Sequence, residues 1–181
     1  MTRIVKVSSN PMDIVLDPMC GCGTAIYAAQ KTGRRWVGID ISPTACKLMA
    51  KRLRGIYVNI QEKDIIGLPK TPDEVKAMQP FEFQNWAIQK LNGKLSRKSV
   101  RDMGIDGWTW DNSPIQVKQS EGIGRNVIDN FETALQRANK QHGIIVALSF
   151  GRGAYDEIAR AKHEQGLEIE LKTMEELIKI E

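Results

Sequence analysis

The chain has 181 residues, of which 41% are hydrophobic and 27% charged, a composition typical of folded globular proteins rather than disordered ones. No apolar run reaches the roughly 18 residues of a membrane span, and the N-terminus lacks a secretion signal, so we expect a cytoplasmic protein without a membrane partner. The three cysteines, Cys20, Cys22 and Cys46, are odd in number and two share one turn, which argues against a disulfide framework.

The net charge of +4 is unevenly distributed along the chain. Residues 1–70 contain 11 Lys and Arg against 5 Asp and Glu, whereas residues 71–181 contain 15 against 17. A basic first part suits a polyanion such as DNA. On charge alone, a solvated surface without such a partner explains the same numbers and is the preferred interpretation.

Residues 13–60 show the pattern strand, turn, helix, strand, helix, strand. The short apolar run Ile14–Leu16 predicts a strand that is buried on both faces of a parallel sheet. The later boundaries follow from glycine, proline and capping residues: a helix ended by Gly33, a strand at 36–40, a helix capped by Ser42 and begun by Pro43, and a strand at 56–60.

Residues 61–72 contain Gly67, Pro69 and Pro72 with little periodicity, which indicates a linker. Thr71 to Glu74 has the form of a capping box, so we place a domain boundary near residue 70 and predict domains at 1–70 and 71–181. The second domain reads as helix 81–91, strands 95–100, 104–110 and 114–119, a helix through 127–138, strand 143–150, a helix near 153–165, strand 167–171, and a second capping box at 173–176.

A glycine-containing turn joins the first strand to the first helix. Gly21 and Gly23 allow a ligand to approach the backbone, and the helix N-terminus behind them offers free N–H groups. Asp40, which lies 17 residues after Gly23 at the end of the next strand, suits the two hydroxyls of a ribose. This pattern alone fits any nucleotide cofactor, or a tight turn that only requires glycine.

The wider string resembles the DNA N4-cytosine/N6-adenine methyltransferases over residues 3–54. Asp17-Pro18, the small-residue turn that follows, Gly33-Arg34-Arg35 and Gly38-Ile39-Asp40 occur in the family's order. The resemblance implies an α/β fold that begins with a truncated Rossmann-like βαβαβ segment and binds S-adenosylmethionine. It implies that Asp40 holds the ribose and that the methionine part is surrounded by Asp17, Cys20, Gly21, Gly23 and Thr24.

One family motif is missing from this chain. Such methyltransferases hold the flipped base with an Asp/Asn/Ser-Pro-Pro-aromatic motif, and this sequence contains no Pro-Pro pair. Residues 1–60 therefore resemble the last part of a methyltransferase, and we expect methyl transfer only when a complementary N-terminal half is supplied. Such a half is one protein partner to consider, and a second copy that pairs through the truncated sheet's edge is the other.

A second group of polar residues lies between residues 104 and 118. Asp106 begins one predicted strand, and Gln116 and Lys118 lie two residues apart on the next, so their side chains share a face. Oxygen ligands and a lysine on neighbouring strands can hold Mg²⁺ and act on a phosphate. From spacing alone, a polar strand edge with a solvated lysine is the preferred alternative.

Element order across residues 79–179 resembles the catalytic domain of Mrr-type restriction endonucleases, a branch of the PD-(D/E)xK nucleases. Phe81-Glu82, Gly104-Ile105-Asp106 and Gln116-Val117-Lys118 carry the resemblance. It implies a restriction-endonuclease-like α/β domain with a mixed central sheet. In that domain Asp106 and Gln116 are metal ligands, Lys118 stabilises the attacking water or the developing charge, and Glu82 is a further acid. Glutamine in place of the usual acid removes one negative charge and weakens metal binding.

The two resemblances together suggest a DNA restriction–modification or defence protein. We expect a Mg²⁺-dependent DNA endonuclease-like domain attached to the S-adenosylmethionine-binding end of an amino-methyltransferase, with DNA as partner. The alternative is a fragment of a site-specific DNA methyltransferase whose C-terminal domain only binds DNA. Phe83-Gln84-Asn85-Trp86-Ala87 also matches a C-terminal extension found in some methyltransferases. Trp108 and Trp110 lie close to Asp106 and could stack on bases, although tryptophans are more often part of a core.

Overall fold

The structure is a computed structural model, and it describes residues 1–55, 60–61, 64–96 and 104–180. It divides into two compact units, Met1–Leu68 and Pro69–Glu181. Among the described residues, no helix is both long and apolar enough to cross a membrane.

The first unit contains two parallel strands joined by a helix. Its elements are α1 (Thr2–Ser8), β1 (Ile14–Asp17), α2 (Thr24–Lys31), β2 (Arg35–Gly38) and α3 (Pro43–Arg54). β1 pairs with β2 in register from Ile14 opposite Arg35 to Asp17 opposite Gly38. α1 was not anticipated from the sequence. The strand predicted at 56–60 lies mostly outside the described residues, which omit 56–59.

Local sequence signals explain where α3 begins and what it packs against. The Ser42 side chain accepts a hydrogen bond from the Ala45 N–H at 3.1 Å, and Pro43 is the first helical residue, as predicted. The apolar face of α3 then packs with Ile26 of α2 in one small core, whose other buried members are Cys20, Met49, Ala50, Leu53 and Ile60.

The prediction that β1 is buried on both faces is wrong. Ile14 and Leu16 are 57% and 60% exposed, and Val37, which pairs with Leu16 on β2, is also exposed. An apolar run records a preference for burial but does not specify what covers each face. In the described part of the unit, only one face of the strand pair is covered, and the other presents an apolar surface.

The second unit is built on a mixed five-stranded sheet. Its elements are α4 (Pro72–Lys76), α5 (Pro80–Lys90), β3 (Lys94–Leu95), β4 (Gly107–Trp108), β5 (Pro114–Lys118), α6 (Arg125–Arg137), β6 (His142–Ala147), α7 (Arg152–Gln165), β7 (Glu168–Thr173) and α8 (Met174–Ile178). The strand order is β3-β4-β5-β6-β7. The β3–β4 and β4–β5 pairs are antiparallel and the last two pairs are parallel, which confirms the mixed α/β sheet expected from the sequence.

Helices cover both faces of this sheet. On β6, Ile144 and Val146 belong to one core with residues of α4, α5 and α8, whereas Ile145 belongs to another with residues of α6 and α7. The first core is centred on Phe83 of α5 and the second on Phe131 of α6, both fully buried. This three-layer arrangement holds the strands that carry the candidate site.

Both predicted capping boxes are confirmed, and they begin the two short helices at the ends of this unit. At α4 the Glu74 N–H donates to the Thr71 hydroxyl at 3.3 Å, and the Thr71 N–H donates to the Glu74 carboxylate at 3.1 Å. Thr173 and Glu176 form the same pair of hydrogen bonds at α8. α4 and α8 pack against each other in the core that contains Phe83.

Candidate functional site

Asp106 lies directly before β4 and is held by the sheet on both sides. Its N–H donates to the Ile115 carbonyl at 2.8 Å, and its own carbonyl accepts from the Ser96 N–H at 2.9 Å. One carboxylate oxygen accepts from the Val117 N–H at 2.7 Å, and the other accepts from the Gln84 side-chain amide at 3.0 Å. The carboxylate is therefore fixed by β5 and by α5 together.

Burial raises the pKa of the Asp106 carboxyl above its ordinary value. The hydrogen bond from Val117 and the positive charge of Lys118 act in the opposite direction but do not cancel the effect of burial. A desolvated carboxylate close to a lysine is typical of functional sites, because its charge gains most when a cation binds beside it.

Gln116 lies on β5 between Ile115 and Val117, whose backbone groups bind Asp106, and it is 4% exposed. Its side-chain oxygen is buried and accepts no hydrogen bond from the described residues. The φ angle of Gly104 is +104°, and a Cβ atom there would lie 2.6 Å from the Gln116 Nε2 atom. A buried acceptor left unpaired is costly, so its presence points to a ligand that the carbonyl oxygen could satisfy, such as a hard cation.

Lys118 and Glu82 complete the set predicted from sequence. Lys118 is half-buried at the end of β5, and its charge acts on the Asp106 carboxyl, so these two residues lie close together. Glu82 is half-buried on α5, but the α5 residue that contacts Asp106 is Gln84. The sequence contained Gln84 within the Phe83–Ala87 motif, but no sequence signal paired it with Asp106.

In the first unit, the two glycines of the predicted cofactor turn have different roles. Gly21 has a φ of +49°, and in the described part of the chain no heavy atom beyond its own and its two chain neighbours' lies within 4 Å of the position that a Cβ atom would occupy. Gly23 has a φ of +78°, but a Cβ atom there would collide with the Met49 side chain. Gly21 therefore leaves room for a ligand, whereas Gly23 is required by the packing of α3 against the turn.

Asp40 connects this turn to the beginning of α3. Its carboxylate accepts from the Gly21 N–H at 2.7 Å and from the Ser42 N–H at 2.9 Å. Each oxygen keeps a further lone pair that a hydroxyl could use. Asp40 also borders a cleft of about 480 Å³, which is lined by residues 36–40, Cys46, Met49, Ala50, Ile60, Asp64, Ile65 and Ile66.

The remaining predicted cofactor residues surround the same turn. Cys20 is buried, and its N–H donates to the Ile39 carbonyl at 2.9 Å. Burial, followed by the effects of Cys46, Asp40 and Asp17, raises the pKa of the Cys20 thiol, which keeps it protonated. Asp17 accepts from the Met19 N–H at 3.3 Å, and Thr24 is the first residue of α2.

A carboxylate cluster that the sequence did not indicate lies between α6 and α7. Asp129, Glu132 and Glu157 come close enough to hold a metal ion. Arg160 already pairs with all three, at 2.8 Å from Glu132 and 3.7 Å from Asp129, and Arg125 pairs with Glu157 at 2.8 Å. These two guanidiniums offset most of the negative charge of the three carboxylates, and the ion pairs between α6 and α7 link the two helices.

Comparison with known protein families identifies the second unit. The family model of the Mrr catalytic domain, described as restriction endonuclease, matches residues 75–180. The chain belongs to the restriction endonuclease family. A second family model, described as DNA methylase, matches residues 1–52 of the same chain.

Several curated relatives are type II methyltransferases. M.EcaI of Enterobacter cloacae is 41% identical over 110 residues, which is 57% of this chain and 24% of the relative. M.BamHI of Bacillus amyloliquefaciens is 30% identical over 93 residues, 51% of this chain and 20% of the relative. M.HinfI of Haemophilus influenzae is 34% identical over 73 residues, 40% of this chain and 20% of the relative. The chain thus spans about a quarter or less of these relatives, and no solved structure is significantly similar to it.

Methyltransferase and restriction endonuclease regions occur together in this chain, which is consistent with restriction–modification. The two models describe a DNA methylase and a restriction endonuclease, and both of these protein classes act on DNA. The first class implies S-adenosylmethionine as cofactor, and the second implies a divalent metal ion.

Proposed function

We propose that the second unit is a Mg²⁺-dependent DNA endonuclease that works in restriction–modification or defence, attached to the S-adenosylmethionine-binding end of a DNA amino-methyltransferase. One observation carries the nuclease part. The buried Gln116 side-chain oxygen has no hydrogen-bond donor among the described residues, and Gln116 directly precedes Val117, whose N–H binds the Asp106 carboxylate.

The donor set fits a hard divalent cation. Asp106 offers carboxylate oxygens and Gln116 a carbonyl oxygen, which are the ligand types that Mg²⁺ takes in proteins. A bound divalent ion would supply Lewis-acid stabilisation of the phosphate and would lower the pKa of an attacking water. With one carboxylate and one amide, the proposed ligand set is less negative than a pair of carboxylates, so weak metal binding is expected.

The other side chains have supporting roles in this proposal. Lys118 places a positive charge near Asp106, where it can hold a phosphate oxygen or stabilise the charge that develops during cleavage. Gln84 fixes the orientation of the Asp106 carboxylate from α5. Glu82, two residues earlier on the same helix, is the candidate for a further acid.

The nuclease proposal predicts that two single substitutions strongly reduce the rate of cleavage. Plasmid DNA is incubated with Mg²⁺ and wild-type protein, Asp106→Ala or Lys118→Ala, and nicked and linear products are measured on gels. We expect wild-type protein to cleave and both variants to lose on the order of a hundredfold in rate, because each removes a charge from the site.

Matched controls are available on exposed surfaces of the same unit. Asp156→Ala on α7 and Lys179→Ala after α8 remove the same charges away from the site, and both should cleave like wild type. Equal nicking by all five proteins would indicate a contaminant. No cleavage by the wild-type protein on methylated and unmethylated substrates of varied sequence would contradict the proposal.

The first unit is proposed to be a truncated Rossmann-like βαβαβ segment whose turn binds S-adenosylmethionine. The open space beside Gly21 and the cleft bordered by Asp40 support this assignment. Asp17, Cys20, Gly23 and Thr24 would complete the surroundings of the methionine part.

Calorimetric titration of the full chain with S-adenosylmethionine tests this half-site. We expect measurable binding that is weakened at least about tenfold by Asp40→Ala, because a carboxylate held by two backbone N–H groups is positioned to accept from a ribose. Asp73→Ala, an exposed carboxylate on α4, is the matched control. Absence of binding to the wild-type chain would mean that the half-site is inert without further methyltransferase sequence.

The alternative, a methyltransferase fragment whose second unit only binds DNA, is favoured by the relatives, which are methyltransferases several times longer than the matched region. It predicts DNA binding without cleavage. The exposed face formed by Ile14, Leu16 and Val37 would then suit a complementary methyltransferase half or a second copy of the chain. A monomer at all concentrations in sizing experiments would contradict pairing with a second copy.

A further inference from the structure

An exposed tryptophan follows β4, at the turn of the β4–β5 hairpin that carries the candidate nuclease site. Trp110 is 73% exposed, although tryptophan side chains are on average largely buried. Trp108, two residues earlier, packs against the core that contains Phe131. The two tryptophans noted in the sequence therefore differ: one supports the sheet and the other is accessible to a partner.

The turn that presents Trp110 is closed by several hydrogen bonds. The Thr109 N–H donates to the Ser113 carbonyl at 3.0 Å, and the Ser113 N–H donates to the Thr109 hydroxyl at 2.9 Å. The Asp111 carboxylate accepts from both hydroxyls, and the Ser113 hydroxyl also contacts His142 of β6 at 3.0 Å. An aromatic side chain on such a fixed turn loses little conformational entropy when it binds.

A positive charge lies beside the indole ring. The Lys94 ammonium is 4.1 Å from the Trp110 ring centroid, and β3 carries Lys94 opposite Trp108 of β4. A cation next to an exposed aromatic ring matches the two parts of a nucleic-acid strand, since the cation can bind a phosphate and the ring can stack on a base.

The position of this pair also favours DNA over a protein partner. Trp110 lies four residues after Asp106, and because β4 covers only Gly107–Trp108 before a turn, their separation is at most roughly 13 Å at about 3.3 Å per residue. That is about four base-pair steps of roughly 3.4 Å, so a strand cleaved at Asp106 could reach Trp110. A stable protein interface needs on the order of 1,000 Å² of buried surface, which one indole does not supply.

We infer that Trp110 and Lys94 form a DNA contact outside the cleavage site, in which the indole stacks on a nucleobase and the ammonium binds a backbone phosphate of the same strand. The inference rests on the proposed function, because it takes the DNA acted on at Asp106 as the ligand. It assigns a role in binding, and not in the chemical step, to both residues.

The test measures the affinity of the full chain for a labelled DNA duplex and for one of its single strands, in EDTA so that cleavage cannot occur. Trp110→Ala should weaken binding about tenfold without changing its salt dependence, and Trp110→Phe should retain most of the affinity. Lys94→Ala should reduce the slope of log affinity against log salt by about one. Tyr155→Ala, an exposed aromatic on α7, is the matched control and should bind like wild type.

Wild-type affinity in Trp110→Ala, or equal losses in Trp110→Ala and Tyr155→Ala, would overturn the inference. Tryptophan fluorescence gives a second measurement, because DNA should quench emission in wild-type protein and quench it much less in Trp110→Phe. The outcome is separable from that of the nuclease proposal. If DNA binding depends on Trp110 but Mg²⁺ gives no cleavage, only the nuclease proposal is contradicted. If the protein cleaves DNA but Trp110→Ala does not change its affinity for DNA, only this inference is contradicted.

Discussion

Asp106→Asn is expected to lower the rate of Mg²⁺-dependent cleavage on the order of a hundredfold while leaving the free energy of unfolding unchanged or slightly higher. The substituted side chain can keep both hydrogen bonds. Its oxygen can accept from the Val117 N–H, and its amide can donate to Gln84 once the Gln84 amide rotates. The substitution therefore removes a half-buried charge without removing hydrogen-bond partners.

Plasmid cleavage and urea unfolding at neutral pH, with Asp156→Asn as the control, measure the two parts of this prediction. A large loss of stability in Asp106→Asn would show that the carboxylate is needed for folding. Its role in cleavage could then not be separated from its role in the sheet.

Because the pKa of Asp106 is raised, the difference in stability between the wild type and Asp106→Asn should depend on pH. Because burial raises the folded-state pKa above that of the unfolded chain, the folded protein binds the proton more tightly. The free energy of unfolding of the wild type therefore falls as the pH rises from the unfolded-state pKa through the raised folded-state pKa. That of Asp106→Asn has no such contribution. The stability advantage of the variant should grow as the pH rises through this range. Because protonation of this carboxyl competes with metal binding, the Mg²⁺ concentration needed for cleavage should rise on acidification.

Gln116→Glu should tighten divalent-metal binding by about tenfold or more and destabilise the metal-free protein. It places a second carboxylate in the buried position of the unpaired Gln116 oxygen, near Asp106. Ligand charge strengthens Mg²⁺ binding, whereas two buried carboxylates without a cation repel each other. Metal titration by calorimetry and melting temperatures in EDTA and in Mg²⁺ measure the two effects, which should have opposite signs.

Gln141→Glu is the matched control, because Gln141 is exposed just before β6 and gains the same charge in water. Its metal affinity and its melting temperature in EDTA should remain at wild-type values. If Gln116→Glu binds metal no more tightly than this control, Gln116 is not a ligand, and the unpaired oxygen needs another explanation.

Local signals in the sequence predicted the element boundaries that depend on a few neighbouring residues. Thr71 and Thr173 begin α4 and α8 through hydrogen bonds made within one turn, and Ser42 caps α3 in the same way. The apolar run from Ile144 to Ala147 is a buried central strand because both of its faces meet helices. The caps are formed within a single segment, whereas for β6 the segment encodes only its apolar character and not the helices that cover it.

Features that depend on distant segments could not be predicted. Gln84 on α5 and Asp106 just before β4 are 22 residues apart in sequence, and nothing in the spacing of residues in either segment requires their contact. Glycine is needed at position 23 because Met49 of α3 fills the space of a Cβ atom there, so the glycine by itself does not indicate a ligand. The exposed face of β1 was missed because an apolar run such as Ile14–Leu16 does not reveal which layers cover it.

The packing of α4 against α8 bears on how the second unit could be fused to, or inserted into, other proteins. These helices are the first and the last of the unit, so its entry and exit points lie side by side. A domain with adjacent termini can be fused to a host protein, or inserted into a surface loop, without opening its core. The capping boxes fix the first turn of each of these two helices locally, so joining a host protein outside Thr71 or beyond α8 would leave both helices in place.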